Sequence, residues 1–406
     1  MRVCMVTLSY PRYEGDFAAI FVRGVAEAVA RAGVEVTVVC PHAPGCPRRE
    51  TRGGVHIRRF PYFLPTSMQR LAYGSGIAAN LRASRLAGVQ VPLLAAAGAA
   101  AVLDASARAD LIHAFWSLSG ALAAPAVRWR RIPMQLKLLG SGIRSGPPLF
   151  NRIALRHADA VEFGRGSLDE ELARYDYDGP VLDIRAWPFF ERLDADTHLE
   201  PDLAAWCARG DAVVAFVARF VPFKDPLGVV RAVPHVLRER PGTRFLMVGD
   251  GPLRPEAQRL VGELGLGESV RLVGARYDVG PVLRASTVFV ANSPVTNCFS
   301  SSILESLYLG VPAVVTDVQD PTRAFQRKDY VELVRPEDPA DLARGILRLL
   351  GDGALRGRRQ RIGRELLTDL GFDHKVILER TLASYENLCR RRGRPRGCRP
   401  AKEKRF

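Results

Sequence analysis

The sequence predicts an α/β protein of two doubly wound lobes, and three observations carry that prediction. Its 406 residues exceed the length at which a single hydrophobic core stops growing, so two domains are expected. Short apolar runs alternate with amphipathic stretches at helical spacing, the pattern of parallel sheets covered by helices on both faces. The pattern also starts twice in the same way, with an apolar run, a loop containing Gly or Pro, a helix, and a Gly before the second run.

In the first half the strands fall at 3–8, 36–40, 111–116, 134–138 and 160–163, with a loop at 9–16 and a helix at 17–32. The longest uncharged stretch, 86–103, is rich in alanine and interrupted by Gln90 and Pro92. It reads as a buried helix rather than a membrane span. Residues 187–201 lack periodicity and contain prolines, as an interdomain linker does. The second half gives strands at 212–218, 244–248, 270–273, 287–291 and 313–317, and helices at 226–240, 255–264, near 279–285 and at 301–309. Each of these strands runs into Gly, Asp, Asn or Ser, at the edge where open α/β sheets bind ligands. The domains expected are 1–188 and 189–370, then a helix over 371–390 that packs back toward the first lobe, and a basic disordered tail, 391–406.

Composition bounds the function. With 47% hydrophobic and 25% charged residues, the chain has the make-up of a soluble globular protein. The seven cysteines, at 4, 40, 46, 207, 298, 389 and 398, form no Cys-x-x-Cys and no zinc-like cluster, so neither a metal site nor a disulfide framework is expected. The opening apolar run is too short for a signal peptide, which places the protein in the cytoplasm. The net charge of +15 is uneven, because residues 390–405 hold nine Lys/Arg against one Glu. Such a tail is either a solvated terminus or an attraction to an anionic surface. Lipid head groups suit it better than nucleic acid, since no aromatic residues interleave to stack on bases; a peripheral position on the inner face of the membrane follows.

The chemistry concentrates at three strand ends of the second half. Arg219 and Lys224 flank the turn after the strand 212–218. Arg offers a planar fork of donors and Lys a compact charge, so together they suit a diphosphate leaving group without a metal; the alternative is a pair of solvated cations. Asn297-Cys298-Phe299-Ser300-Ser301 opens the helix that bears Glu305. Amides at a helix start suit a phosphate, although Ser300 or Ser301 also fits an ordinary N-cap. Glu305 is either solvated or holds hydroxyls such as those of a ribose. Gly249-Asp250-Gly251-Pro252 closes another strand, allowing close backbone approach to a ligand or a tight turn. In the first half, Gly15-Asp16 brings a backbone amide toward a donor phosphate or is a plain loop. His113 and Trp116, at a strand end, read as core, His113 in particular.

Taken in order, these segments resemble the retaining family 4 glycosyltransferases of the GT-B fold, from Met1 to about Arg390. The phrase Val6-Thr-Leu-Ser-Tyr-Pro-Arg-Tyr-Glu-Gly-Asp-Phe17 is similar to the family's amino-terminal donor loop. Arg219 and Lys224 match its Arg-x4-Lys pair, Gly249-Asp250-Gly251-Pro252 its Gly-Asp-Gly-Pro turn, and Glu305 with Gly310-Val311-Pro312 its Glu-containing helix end. The resemblance implies two Rossmann-like lobes around a deep cleft. It implies a nucleotide-diphosphate sugar as donor, bound by Arg219, Lys224 and, at the ribose, Glu305, with no cofactor. A sugar, lipid-linked or other hydroxyl compound is the implied acceptor, in polysaccharide, glycolipid or related biosynthesis. Three positions depart from the pattern. Asn297 stands where the family's Glu-x7-Glu motif has its first glutamate, and Leu139-Gly140-Ser141-Gly142 replaces His-Gly-Ser-Asp. Trp187-Pro188-Phe189-Phe190 replaces Pro-Asn-Gly-Val-Asp. Asn297 bonds a sugar hydroxyl but supplies no negative charge to a developing oxocarbenium ion. The rival readings are a nucleotide-sugar binder without turnover, a sugar epimerase of the same fold, and a nucleic-acid-binding protein acting through the tail.

Overall fold

Val213, Val214, Ala215 and Phe216 fill a strand whose side chains are buried toward both faces, as happens in a parallel sheet sandwiched between helices. The same logic repeats through the chain. The computed structural model describes residues 1–391 except 17, 75, 139–142, 144–146, 164–168, 189, 295–299 and 319–330. The chain divides into two units, Met1–Trp187 with His374–Phe406, and Pro188–Asp373.

The first unit holds eight strands: β1 (Arg2–Val6), β2 (Glu35–Pro41), β3 (Arg49–Arg52), β4 (Val55–Phe60), β5 (Leu111–Phe115), β6 (Met134–Lys137), β7 (Ala160–Glu162) and β8 (Val181–Leu182). Their order across the sheet is β3-β4-β2-β1-β5-β6-β7-β8. Among the described strands, only β3 and β4 run antiparallel; Gly53 and Gly54, with φ of 56° and 78°, supply the left-handed pair that a two-residue hairpin needs. The helix His374–Arg391 returns to this unit, where Ser384 Oγ donates to Gln135 Oε1 at 2.8 Å and Tyr385 meets His113. Trp187 stacks on His374 with ring centroids 4.4 Å apart, so the residues where the chain leaves the unit and re-enters it lie face to face. Gly24 makes room for this indole, because a Cβ there would lie 2.2 Å from Trp187 Cδ1.

The second unit holds six parallel strands: β9 (Ala212–Val217), β10 (Thr243–Val248), β11 (Val270–Leu272), β12 (Val288–Ala291), β13 (Ala313–Thr316) and β14 (Val331–Val334). Their order is β11-β10-β9-β12-β13-β14. The chain therefore winds one way from β9 to β11, returns to the other side of β9, and winds outward again. The carboxyl ends of β9 and β12 flank the switch point, where such sheets open a crevice.

Two predicted elements change character. Residues 187–201 are not a bare linker: Phe190 and Leu193 are buried in the core of the second unit, and the Phe190 ring stacks on Tyr308 at 4.4 Å. Aromatic packing fixes that segment despite its lack of periodicity. The helix Arg85–Ala105 buries only one stripe, Ala87, Gln90, Leu94, Gly98 and Val102, and leaves Val89 and Leu93 62% and 44% exposed. Of the basic tail expected at 391–406, Arg391 ends the helix His374–Arg391 and residues 392–406 lie outside those described.

Candidate functional site

The turn after β9 is built by proline and by left-handed backbone. Pro222–Lys224 forms one turn of 3-10 helix, and Asp225, at φ 37°, ends it and caps the helix Pro226–Glu239 by accepting from Gly228 N at 2.9 Å. This folds Arg219 and Lys224 onto one ring. The Arg219 guanidinium lies 5.4 Å and Lys224 Nζ 5.9 Å from the centroid of Phe223, a separation suited to cation–π attraction. Two cations five positions apart thus converge at the carboxyl end of β9.

Two residues after β12 lock this turn, and neither stood out in the sequence. Asn292 Nδ2 donates to Asp225 O at 3.0 Å and to Asp225 Oδ2 at 2.9 Å, while Ser293 Oγ donates to Phe223 O at 2.7 Å. Ser293 N in turn donates to Thr316 Oγ1 at 3.0 Å, tying in the end of β13. Gly228 completes the clasp, since a Cβ there would sit 2.1 Å from Asp225 Oδ2 and 2.9 Å from Asn292 Nδ2. The signal was available only as a polar Asn-Ser pair closing an apolar strand.

Gly249 and Gly251 do allow close backbone approach, but to the protein itself. Their φ values are 147° and 152°, and a Cβ would lie 1.8 Å from Ala218 O or 2.5 Å from Phe220 O. Phe220 N donates to Asp250 O at 2.9 Å and Leu253 N to Phe220 O at 3.0 Å. The turn after β10 therefore braces Arg219 from behind. The exposed Asp250 carboxylate accepts from Gly251 N at 2.7 Å and stands 3.7 Å from Arg254. Asp278 closes a turn by accepting from Gly280 N at 2.9 Å.

Among the described residues no side chain caps the helix Ser301–Tyr308, which follows β12, and Ser300 Oγ bonds Ser302 Oγ at 3.0 Å. The positive end of the dipole at this helix start suits an anion. By contrast, the Asp225 carboxylate already fills the start of the helix Pro226–Glu239. Glu305 is buried, and its Oε1 accepts from Arg192, which also reaches Tyr277 O. Arg192 lies in the stretch read as linker, so this partner was missed. Asn297, Cys298 and Phe299 lie outside the described residues, as do Leu139 to Gly142 and Phe189.

In the first unit, Asp16 is engaged by its own loop. It accepts from Arg12 N at 2.9 Å, Arg12 Nε at 2.7 Å and Ala18 N at 3.2 Å, and its amide closes a turn on Tyr13 O. Burial works to raise its pKa, but the bonds from Arg12 outweigh that and hold the carboxyl below its ordinary value. Gly15, at φ 89° with open space where a Cβ would stand, lets the chain make this turn. His113 is core, as expected. Its Nδ1 lies 2.7 Å from Tyr385 OH and its Nε2 3.0 Å from Glu162 Oε2, and Lys137 pairs with the same carboxylate. Trp116 is half-buried at φ 65°, a strained value for a bulky residue, at the carboxyl end of β5.

A separate concavity of about 900 Å³ in the second unit is lined by Arg348, Arg358, Arg359, Arg361, Asp317 and Glu332, among others. Glu332 answers Arg348 and Arg359, each at 2.9 Å. None of the predicted site residues lines it.

Sequence comparison bears on both units. The family model for "Glycosyl transferases group 1" matches residues 211–352, and that for "Glycosyl transferase 4-like domain" matches residues 18–179. The chain belongs to the family 4, group 1 glycosyltransferases. Among curated relatives, it is 33% identical over 178 residues to the lipopolysaccharide core biosynthesis glycosyltransferase LpsD of Rhizobium meliloti, a match over 43% of this chain and 49% of that protein. The chain spans half or less of the first curated relatives it matches, between 19% and 49% of their lengths. Sucrose-phosphate synthase from Thermosynechococcus elongatus superposes with a TM-score of 0.72 at 21% identity, over 95% of this chain and 98% of that one. HepE from Anabaena in complex with UDP-glucose superposes at 0.68 and 17%, over 95% and 100%. These glycosyltransferase likenesses establish the GT-B fold, with a Rossmann-like sheet in each unit.

Proposed function

We propose that the chain transfers a sugar from a nucleotide-diphosphate donor to an acceptor hydroxyl with retention at the anomeric carbon. The observation that carries this reading is the convergence of Arg219 and Lys224 on Phe223 at the switch point, where the neighbouring strand β12 leads to the helix Ser301–Tyr308. In the reaction the bond between the anomeric carbon and the diphosphate oxygen breaks, and the acceptor oxygen bonds that carbon on the same face. The hydroxyl proton passes to the departing phosphate. Arg219 and Lys224 stabilise the negative charge that develops there, work that oxyanion-type donors perform at about 10²–10³ in rate each. The helix amides after Ser300 receive a second phosphate oxygen, and Glu305, oriented by Arg192, holds the ribose. Asn297, which stands in the sequence where the family's glutamate is expected, is assigned to the donor sugar's hydroxyls, and a closed site supplies rate by holding donor and acceptor together.

A UDP-sugar is the first donor to test, because HepE binds UDP-glucose. The acceptor class proposed is a saccharide or lipid-linked saccharide, following LpsD. The second reading is a nucleotide-sugar binder without turnover, favoured by Asn297 and by the engagement of Glu305 with Arg192. Thermal stabilisation by UDP-, GDP- and ADP-sugars finds the donor, since a ligand at a hundred times its Kd adds about 2.7 kcal/mol. Nucleotide release from that donor then separates the two readings. Release by the wild-type protein that disappears in Arg219→Ala/Lys224→Ala supports transfer, and binding without release supports the second reading.

A further inference from the structure

Among the described residues, the helix at Arg85–Ala105 is the one long and apolar enough to cross a membrane by length and composition, with a mean hydropathy of 1.9 over its best window, yet only 28% of that window is buried. Its inner stripe is anchored. Leu94, Gly98 and Val102 pack inward, and buried Gln90 donates to Met68 O at 2.8 Å and accepts from Arg70 N at 2.9 Å. A helix tied to its own domain in this way lies along a surface and does not span one. Its outer stripe carries Val89, 62% exposed, and Leu93, 44% exposed, and Met68 and Leu81 on the adjoining segments are also exposed.

Up to residue 103 the charges along this face have one sign, and Asp104, in the last turn of the helix, is paired with Arg58. Residues 61–103 contain no Asp or Glu, and their only charged side chains are Arg70, Arg82 and Arg85, all exposed. Arg82 and Arg85 lie just before and at the start of the helix, and Arg70 is held against its Gln90. We infer that this face docks on the anionic surface of a lipid bilayer, with Val89 and Leu93 entering the boundary between head groups and acyl chains and the three arginines meeting lipid phosphates. An apolar stripe flanked by Arg is the composition of helices that lie in the membrane interface, and each basic residue near an anionic surface adds to the attraction. A second copy of the chain fits worse, because it would bring like charges together. The inference is independent of the glycosyl-transfer reading and of the basic tail.

Co-sedimentation of the full chain with vesicles of equimolar phosphatidylglycerol and phosphatidylcholine, and with phosphatidylcholine alone, tests it. Measurements at about 0.1 M and about 1 M NaCl, where the Debye length falls from about 10 Å to about 3 Å, separate apolar insertion from attraction by the tail. Wild-type protein is expected to prefer the anionic vesicles and to keep part of its binding at high salt. Val89→Glu/Leu93→Glu should lower partitioning at high salt at least tenfold without changing the melting temperature, and Arg82→Gln/Arg85→Gln should weaken binding to the anionic vesicles at low salt. Binding by Val89→Glu/Leu93→Glu within twofold of wild type at both salts would overturn the inference. So would a wild-type dimer in sedimentation velocity that this variant separates, since a second copy would then cover the face.

Discussion

Asn292 donates through one amide nitrogen to both the main-chain oxygen and the carboxylate of Asp225, so the residue after β12 holds shut the turn after β9. The pair proposed to hold phosphate thus depends on a residue that need not touch phosphate. Asn292→Ala removes both bonds and leaves Asp225 with its helix cap alone. The expected cost is about 1–3 kcal/mol, read by urea unfolding. Nucleoside diphosphate affinity should fall about tenfold while that of the monophosphate changes little.

The glycines after β10 separate packing from mere turn-making. Gly249→Ala places a methyl group 1.8 Å from Ala218 O, at a φ of 147°, and should cost more than about 2 kcal/mol. Gly15→Ala meets no atom within 4 Å and suffers only from its φ of 89°, so about 1 kcal/mol is expected. Thermal melts of the two variants should rank in that order.

Arg192, partly buried, pairs with buried Glu305, and removing one partner should hurt more than removing both. Glu305→Gln strands the guanidinium, with a cost of about 3 kcal/mol, whereas Arg192→Met/Glu305→Gln should recover part of that loss. A double-mutant cycle by denaturant unfolding measures the coupling. A coupling near zero would show that the pair does not act as a unit.

The cluster under the helix His374–Arg391 is expected to lose stability in acid. Burial lowers the His113 pKa below its ordinary 6.5, with Glu162 opposing in part. Burial alone would raise Glu162, but Lys137 first and His113 next outweigh it and hold the carboxyl at about 2. Both folded values are depressed, so the unfolded chain takes up more protons in acid. The His113 contribution is complete above pH 6.5 and is lost as pH falls below that. The Glu162 contribution is present above about 4.5 and is lost as pH falls toward 2. Unfolding free energy should therefore decline in two stages, and His113→Gln should remove the upper one.

Much of the second unit was legible because its strands are continuous apolar runs that end in polar turns. Arg219, Lys224 and the glycines of 249–251 announce themselves at such ends. What escaped was long-range: Arg192 meets Glu305 across 113 residues and Asn292 meets Asp225 across 67, and no local period encodes either. The hairpin β3–β4 was signalled by Gly53-Gly54, but its four-residue strand Arg-Glu-Thr-Arg lacks the apolar alternation that marks a strand. The helix Arg85–Ala105 was read as buried from composition alone, and composition does not say which face has a partner.

Calorimetric titration of UDP and UMP into wild-type protein and Arg219→Ala/Lys224→Ala tests the central claim most directly. If the pair holds the diphosphate, wild-type protein prefers UDP over UMP, and the variant loses that preference by at least tenfold, the equivalent of about 1.4 kcal/mol, while still binding UMP as before. A variant that keeps the wild-type preference for UDP would contradict the claim and move the diphosphate away from Arg219 and Lys224.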